Sequence, residues 1–170
     1  MTLSMHQASG PVFKTGLTAL SAILDKTVVQ CGERKIDPAV LMADRLAPDM
    51  LPFTRQVLIA CDFAKNTMFR LAGLEPPKIE DVEKTVDELQ ARIRRTLELV
   101  DSVAASSVDG SEGRSVTMTV GGQPMTFTGQ DYLLQFALPN FYFHLTMAYA
   151  ILRHNGVQIG KRDFLGALPS

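Results

Sequence analysis

Two polar side chains stand inside the most apolar stretch of the sequence. Asn140 and His144 lie between Leu133 and Leu152, where most of the other residues are apolar. They are four residues apart, so a helix would place both side chains on one face. A buried polar group without a partner costs about 1–3 kcal/mol. The pair must therefore bond to each other, bond to another helix or line a cavity, which leaves both a structural role and a binding site open.

A carboxylate in the second long predicted helix raises the same question. Asp62 shares a helical stripe with Lys65, and Arg55 lies on roughly the same side of that helix. An aspartate there can orient His144 through a ring nitrogen, as in many acid–base and metal sites. The alternative is a surface ion pair of Asp62 with Lys65 or Arg55. The candidate ligand-binding residues are accordingly Arg55, Asp62, Lys65, Asn140 and His144.

The spacing of the histidines gives only weak support for a metal ion. The chain has three, His6, His144 and His154, and contains neither an HxxxH nor an HxxE pair. His144 and His154 would lie about 15 Å apart along a helix, so they cannot share one ion. His6, near the start of the first helix, can approach the last helix. We expect no metal site, and if a metal binds, its candidate ligands are His144, Asp62 and His6.

Sequence motifs for nucleotide binding and nucleophilic catalysis are missing. GxGxxG, GxxxxGK[ST] and GxSxG do not occur, which argues against a dinucleotide site, a phosphate loop and a nucleophile elbow. Cys61 has no adjacent basic residue that would stabilise a thiolate, which predicts a buried structural cysteine. Cys31 and Cys61 have no CxxC spacing. We therefore expect free thiols in a reducing compartment, the cytoplasm.

Charge and composition exclude two classes of partner. The formal net charge is −1 and the pI about 6.3, so we expect no nucleic-acid partner. The densest basic group, Arg92, Arg94 and Arg95, is interleaved with acidic residues and predicts a solvated helix face. No apolar run reaches the ~18 residues of a membrane span, and the first residues do not resemble a signal peptide. The 170 residues predict one domain over 1–170.

Helices are the elements that must position these residues. Apolar residues at steps of three and four predict long helices over about Ser4–Val29, Pro52–Ala72, Ile79–Val100 and Thr128–His154. Pro11 predicts a kink in the first helix or the start of its regular part, and Cys31-Gly32 predicts its end. The first turn of the third helix would hold three acidic residues, which suits the helix dipole: Glu80, Asp81 and Glu83.

Shorter elements connect these helices. Asp37-Pro38 predicts the start of a connector helix. Around Gly121-Gly122 the apolar period changes to two, which predicts a β-hairpin before Thr128, the predicted cap of the last helix. Pro139 predicts a bend in that helix, and the tail Val157–Ser170 is expected to lie back across the helices. The predicted fold class is all-α: a four-helix bundle with a connector helix and a β-hairpin.

Four segments of the sequence carry a resemblance to a known superfamily. They are Arg55-Gln56-Val57 with Ala60, Asp62, Ala64 and Lys65; Phe127-Thr128-Gly129 with Asp131-Tyr132; Ala137-Leu138-Pro139-Asn140-Phe141-Tyr142-Phe143-His144; and Leu152-Arg153-His154-Asn155-Gly156. With these segments and this order of elements, the sequence resembles the DinB-like (YfiT-like) four-helix-bundle superfamily. Within it, the chain is similar to a bacterial branch of domains of unknown function.

The resemblance implies a specific metal site, from which this sequence departs. Members of the superfamily typically bind a divalent metal, such as zinc or nickel, through one histidine of the second helix and two, four apart, of the last. Some are thiol-dependent transferases or isomerases that use glutathione, mycothiol or bacillithiol. Here the second helix has no histidine. The pair of the last helix falls at Phe141 and Leu145, or at Asn140 and His144 if the register shifts by one.

Three functions follow as hypotheses. The first is a small-molecule pocket near Asp62, Asn140 and His144, without the usual three-histidine metal site. The second is a divalent-metal-dependent enzyme or thiol transferase of the DinB-like kind. The third is a structural or regulatory homodimer whose apolar fourth helix forms the interface.

Overall fold

Helices form most of the described structure. The computed structural model describes residues 3–166. Its helices are α1 (Gly10–Arg34), α2 (Pro38–Ala43), α3 (Phe53–Leu71), α4 (Val86–Ser102), α5 (Ala105–Val108), α6 (Gly129–Asp131), α7 (Leu138–His154) and α8 (Lys161–Leu165). Two strands, β1 (Ser115–Val120) and β2 (Gln123–Thr128), pair in antiparallel fashion. The prediction of a mostly helical chain with a hairpin before its last long helix is confirmed.

The four long helices enclose one apolar core. α3 packs against α4 and α7, and α1 packs against α4, α7 and α3. α8 lies on α1, so the tail returns across the helices as far as it is described, and its predicted continuation over 167–170 lies outside the described residues. Between residues 3 and 166, no helix combines the length and the apolar character that a membrane crossing requires.

The first helix begins and ends later than the pattern predicted. It begins at Gly10 rather than Ser4, because Pro11 stands in the first turn, where a missing amide hydrogen costs no hydrogen bond. It ends at Arg34, where Lys35 takes the left-handed conformation (φ 55°) that caps the helix. Gly32 is a helical residue in the last turn of α1, so its predicted role as the left-handed cap is wrong.

Gly16 sets how closely α1 approaches α7. A Cβ atom at this position would lie 2.8 Å from Cζ of Phe141 and 3.0 Å from Cδ2 of Leu145, and both side chains are buried. We expect Gly16→Ala to lower the free energy of unfolding by about 1–2 kcal/mol, because overpacking costs about 1–3 and helix propensity returns up to about 1. Urea-unfolding midpoints measure this.

The matched control for that substitution is in the same helix. Nothing lies within 4 Å of the Cβ position of Gly32. Gly32→Ala is therefore expected to stabilise the protein by about 0.5–1 kcal/mol, through helix propensity alone. The account of the α1–α7 contact fails if the two variants change stability in the same direction.

The third long helix also begins later than predicted. The Thr85 side chain accepts the amide hydrogen of Glu88, and the Glu88 carboxylate accepts that of Thr85. This capping box fixes the start of α4 at Val86, not at Ile79. The preceding residues are not helical, and Val82, predicted in the apolar seam, is 64% exposed.

The predicted β-hairpin is confirmed. Gly121 and Gly122 have positive φ values of 56° and 82°, which suit a two-residue hairpin turn. Val116 of β1 is buried, and its cross-strand partner Phe127 is partly buried. One face of the hairpin therefore packs on the helices, while Met125 remains exposed.

A π-helical stretch precedes the proline of the last helix. Thr128 caps α6, as predicted, and Tyr132–Ala137 then form the π-helical stretch that leads into α7. Here the amide of Leu138 bonds to the carbonyl of Leu133, five residues back. Pro139 follows, and it has no amide hydrogen to donate. The π-helical stretch was not predicted, and features of this kind are frequent at functional sites. The bend predicted at Pro139 stays a prediction.

Candidate functional site

A buried glutamine holds the imidazole of His144. Oε1 of Gln56, on α3, lies 2.8 Å from Nδ1 of His144, on α7. Gln56 is 1% exposed, and its Nε2 donates to the carbonyl oxygen of Leu51 at 3.0 Å. The histidine of the last long helix is thus tied to the second long helix by a side chain that is itself fixed.

This arrangement sets the tautomer of the ring. A carbonyl oxygen only accepts, so the Gln56 amide nitrogen must face Leu51 and its oxygen must face His144. The imidazole therefore donates from Nδ1, and in the neutral form Nε2 is a bare acceptor. Burial lowers the pKa of His144, which favours that neutral form. Nε2 has no hydrogen-bond partner among residues 3–166 and is not sealed from solvent.

Aromatic rings surround this contact. The Phe63 ring stacks on His144 with centroids 6.1 Å apart and meets the Phe136 ring at 5.8 Å. Phe143 meets His144 edge to face at 5.2 Å. Phe136 in turn meets Phe127 of the hairpin at 5.5 Å. We call these five side chains the aromatic row. Its four phenylalanines surround the imidazole with apolar groups at the boundary of the core.

Asn140 lies one turn before His144 and is held by its own helix. Its Nδ2 donates to the carbonyl oxygen of Phe136 at 2.7 Å. The partner again only accepts, so the nitrogen faces it, and Oδ1 and the second N–H of Nδ2 have no partner among residues 3–166. No hydrogen bond joins Asn140 to His144 within the described residues. Neutral His144 therefore keeps one acceptor, Nε2, whereas Asn140 keeps an acceptor and one N–H donor.

The three charged candidate residues on α3 belong to a separate network of ion pairs. Oδ1 of Asp62 lies 3.1 Å from Nζ of Lys65 and 3.1 Å from Nη2 of Arg92. Arg55 pairs with Asp81. Asp62 therefore makes the predicted ion pair with Lys65, but Lys65 is buried, so the predicted surface location is wrong. The group that orients Nδ1 of His144 is Gln56 rather than this carboxylate. Arg55, Asp62 and Lys65 as ligand-binding residues stay a prediction.

Arg92 lies at the centre of a set that we call the charge network: Arg55, Asp62, Lys65, Asp81, Glu83 and Arg92. Its side chain is 1% exposed and contacts all three carboxylates of the set at 3.0–3.2 Å. Burial lowers the pKa of the Arg92 guanidinium, but the negative charges around it, led by those of Asp62 and Glu83, together outweigh burial and raise the pKa above its ordinary value. The guanidinium therefore remains charged inside the protein.

Two predictions from the sequence fail at this network. The group Arg92, Arg94 and Arg95 was predicted to form a solvated face, but only the second and third are exposed. The three acidic residues predicted in the first turn of the third helix lie before α4 instead. The side chains of Asp81 and Glu83 and the carbonyl oxygen of Glu80 all accept hydrogen bonds from the buried Arg92 guanidinium. The physical reason is the late helix start, which frees this segment to fold back over Arg92.

The described donors do not fit the three-ligand metal site that the resemblance implies. No group of three His, Cys, Asp or Glu side chains within residues 3–166 is placed to hold an ion. Asp62 is already paired with two cations, and His6 lines a groove that neither Asp62 nor His144 lines. Phe141 and Leu145 are buried apolar residues. Whether a metal binds stays a prediction for experiment.

Five grooves on the described surface lie away from the candidate site. They have volumes of about 260–510 Å³, and none of these five is lined by Asp62, Asn140 or His144. The largest lies between α1 and α8. The pocket predicted near His144 is not among these five, and it stays a prediction.

Gln56 is the important residue that sequence reasoning missed. It lies on α3 between Phe53 and Ala60, at a spacing of three and four residues, and all three are buried. That spacing was a usable signal, since a polar residue on an apolar stripe needs a partner on another element. Asn140 and His144 are candidates on the last helix for the same reason.

Comparison with known proteins agrees with this architecture. A family model described as a domain of unknown function (DUF1993) matches residues 5–165. The chain is similar to a crystal structure of a DinB family member protein from Shewanella denitrificans, with a TM-score of 0.89 and 38% sequence identity over 97% of this chain and 93% of that chain. No curated protein matches the sequence. The chain belongs to the DUF1993 family and is a DinB-like protein.

Proposed function

We propose that this protein is a DinB-like four-helix bundle that binds a small molecule at His144, without the three-histidine metal site. The hydrogen bond between Gln56 and His144 carries the proposal. This hydrogen bond fixes the His144 ring and leaves one unused acceptor, Nε2, beside an aromatic surface. Such a group can accept a hydrogen bond or a proton from a ligand. The buried free thiols of Cys31 and Cys61 support a reducing compartment, the cytoplasm.

The protonation of His144 gives a testable pH dependence. The pKa of His144 is expected below the ordinary 6.5, because burial disfavours the charged ring. Its contacts Gln56, Phe63 and Phe143 are uncharged, so none of them opposes this shift. As the pH falls below about 6.5, the unfolded chain binds more protons than the folded one. The stability that depends on a neutral His144 ring is therefore complete above pH 6.5, and it is lost as the pH falls through the pKa of the folded protein.

An NMR titration of the His144 ring measures that pKa directly. Urea unfolding at several pH values gives the matching stability curve. A midpoint above 6.5 for His144 would contradict the proposed neutral acceptor.

A thermal-shift screen tests binding. The panel contains planar aromatic compounds, divalent ions and thiols such as glutathione. We expect shifts with planar compounds, loss of those shifts in His144→Ala, and retention in His154→Ala, which removes an exposed histidine of the same helix. If a ligand shift survives unchanged in His144→Ala, the histidine is only a structural residue.

Elemental analysis separates this proposal from a metalloenzyme or thiol transferase of the DinB-like kind. Protein purified without an affinity tag should contain far less than one zinc or nickel per chain. Near-stoichiometric metal would replace the proposed function with the metal-dependent one.

A homodimer is the second candidate, because apolar side chains are exposed around α7. Leu134, Tyr142 and Phe143 are 50%, 43% and 50% exposed, and apolar surface of this kind marks interaction sites when it is contiguous. Light scattering at micromolar concentration should then give twice the chain mass. A monomer there would remove this candidate and leave the ligand proposal standing.

A further inference from the structure

Residues 74–84 join α3 to α4 and cross the charge network. They contain neither helix nor strand, and no backbone group of residues 75–84 pairs with another backbone group between residues 3 and 166. No side chain of the segment is buried, and the half-buried Ile79 does not pack against the apolar core. Burial in the core therefore does not hold this segment, which we call the covering loop, in place.

Three cations of the charge network hold the covering loop instead. Of the four hydrogen bonds that Arg92 donates among residues 3–166, three go to this loop. Arg55 pairs with Asp81 of the loop. Nζ of Lys65 donates to the carbonyl oxygen of Pro77 at 2.8 Å. The loop is therefore attached to the helices by charged groups.

Without the covering loop, these cations would form a site for an anion. Lys65 and Arg92 are buried where the loop meets them. Asp62 would be the single described carboxylate left beside the three cations, which leaves two positive charges unmatched. Nε of Arg92 is a further donor, since it is sealed from solvent and has no hydrogen-bond partner between residues 3 and 166. Guanidinium and ammonium groups of this kind suit phosphate oxygens.

We propose that the covering loop opens while the helices stay folded, and that Arg55, Lys65 and Arg92 then bind a small dianion, inorganic phosphate. Asp81 and Glu83 contact these cations in the closed form, so the loop and the anion compete for them. Segments with few buried apolar contacts open at a lower free energy than the core. An anion that binds only the open form shifts the population towards that form.

Trypsin measures the opening, because Lys78 is an exposed residue of the covering loop. The double variant Asp81→Ala/Glu83→Ala removes the carboxylates that hold the loop. Cleavage after Lys78 should become at least about tenfold faster, since the loss of one charged hydrogen bond changes an equilibrium by about that factor. Cleavage after Arg95, an exposed residue of α4, requires the helix to unfold and should stay slow.

The covering loop itself offers the matched control. Glu75 and Glu80 are exposed, and their side chains make no ion pair among residues 3–166. The control variant Glu75→Ala/Glu80→Ala changes the net charge by the same amount and should be cleaved after Lys78 at the wild-type rate.

Phosphate binding is followed by the ¹H–¹⁵N signal of the Arg92 Nε–H group, with the ionic strength held constant by chloride. We expect Asp81→Ala/Glu83→Ala to bind inorganic phosphate at least about tenfold more tightly than the wild type, because competing carboxylates are gone. The control variant should match the wild type. Arg55→Gln, added to the first variant, should reverse most of the gain.

Two kinds of result would overturn the proposal. Cleavage after Lys78 that rises only in step with cleavage after Arg95 would show that the loop opens only when the whole protein unfolds. Equal phosphate affinity in the wild type and in Asp81→Ala/Glu83→Ala, or a gain that survives Arg55→Gln, would remove the anion site. The proposal does not involve His144, so its failure would leave the proposed function standing.

Discussion

Arg92→Ala is expected to lower the free energy of unfolding by about 3–5 kcal/mol, the cost of removing one partner from a buried ion pair. The guanidinium side chain is 1% exposed and contacts Asp62, Asp81 and Glu83. It also donates to the carbonyl oxygen of Glu80 at 3.1 Å. Without it, three carboxylates lose their shared cation. Urea unfolding of the variant and the wild type gives the difference.

A substitution nearby on the same helix provides the control. Arg95 is exposed, and Arg95→Ala should change stability by no more than about 0.5 kcal/mol. Arg92→Lys keeps the charge, but a lysine cannot reproduce the several directed hydrogen bonds of a guanidinium, so an intermediate loss is expected. Similar small effects for Arg92→Ala and Arg95→Ala would show that the network contributes little.

Gly129→Ala is expected to lower the free energy of unfolding by about 3 kcal/mol or more, the upper end of the range for overpacking. A Cβ atom at this position would overlap the backbone carbonyl oxygen of Ser111, and Leu71 lies beside it at 3.5 Å. The amide of Gln130 bonds to the carbonyl of Glu112 at 3.0 Å, so the loop and the helix start are joined at this point. Backbone must move to admit the methyl group.

The effect of Gly129→Ala should extend to the candidate site. Gly129 begins the helical run that continues through the π-helical stretch to Asn140 and His144. Gly113→Ala, in the adjoining loop, meets nothing within 4 Å and should be nearly neutral. Thermal melts compare the two variants. Equal melting temperatures would contradict the close approach of loop and helix.

The elements that follow from local chemistry could be predicted from the sequence. Gly121-Gly122 between alternating apolar residues specified the hairpin, and Asp37 accepts the amide hydrogen of Ala39 at the start of the connector helix as expected. Helix ends were harder to predict. Ile79 continues the apolar period of α4 into a segment that is not helical, because the capping box at Thr85 outweighs the pattern.

Partners in three dimensions could not be predicted from the sequence. Arg92 has the same neighbours in sequence as an ordinary surface arginine, but in the fold it contacts Asp62 of α3 and the segment before α4 that folds back over it. Asn140 and His144 were recognised as polar residues on an apolar helix. The partner of Asn140 is local, the carbonyl of Phe136 four residues back. The partner of His144 is Gln56, and it depends on the contact between α3 and α7, which no local pattern encodes.

The tautomer of His144 tests the central claim most directly. Long-range ¹H–¹⁵N correlation of the imidazole at neutral pH reports which ring nitrogen carries the proton. The hydrogen bond to Gln56 predicts a neutral ring with the proton on Nδ1 and a bare Nε2, and Gln56→Leu should release that preference. A proton on Nε2 alone, or a charged ring at neutral pH, would contradict the account of His144 as a fixed acceptor.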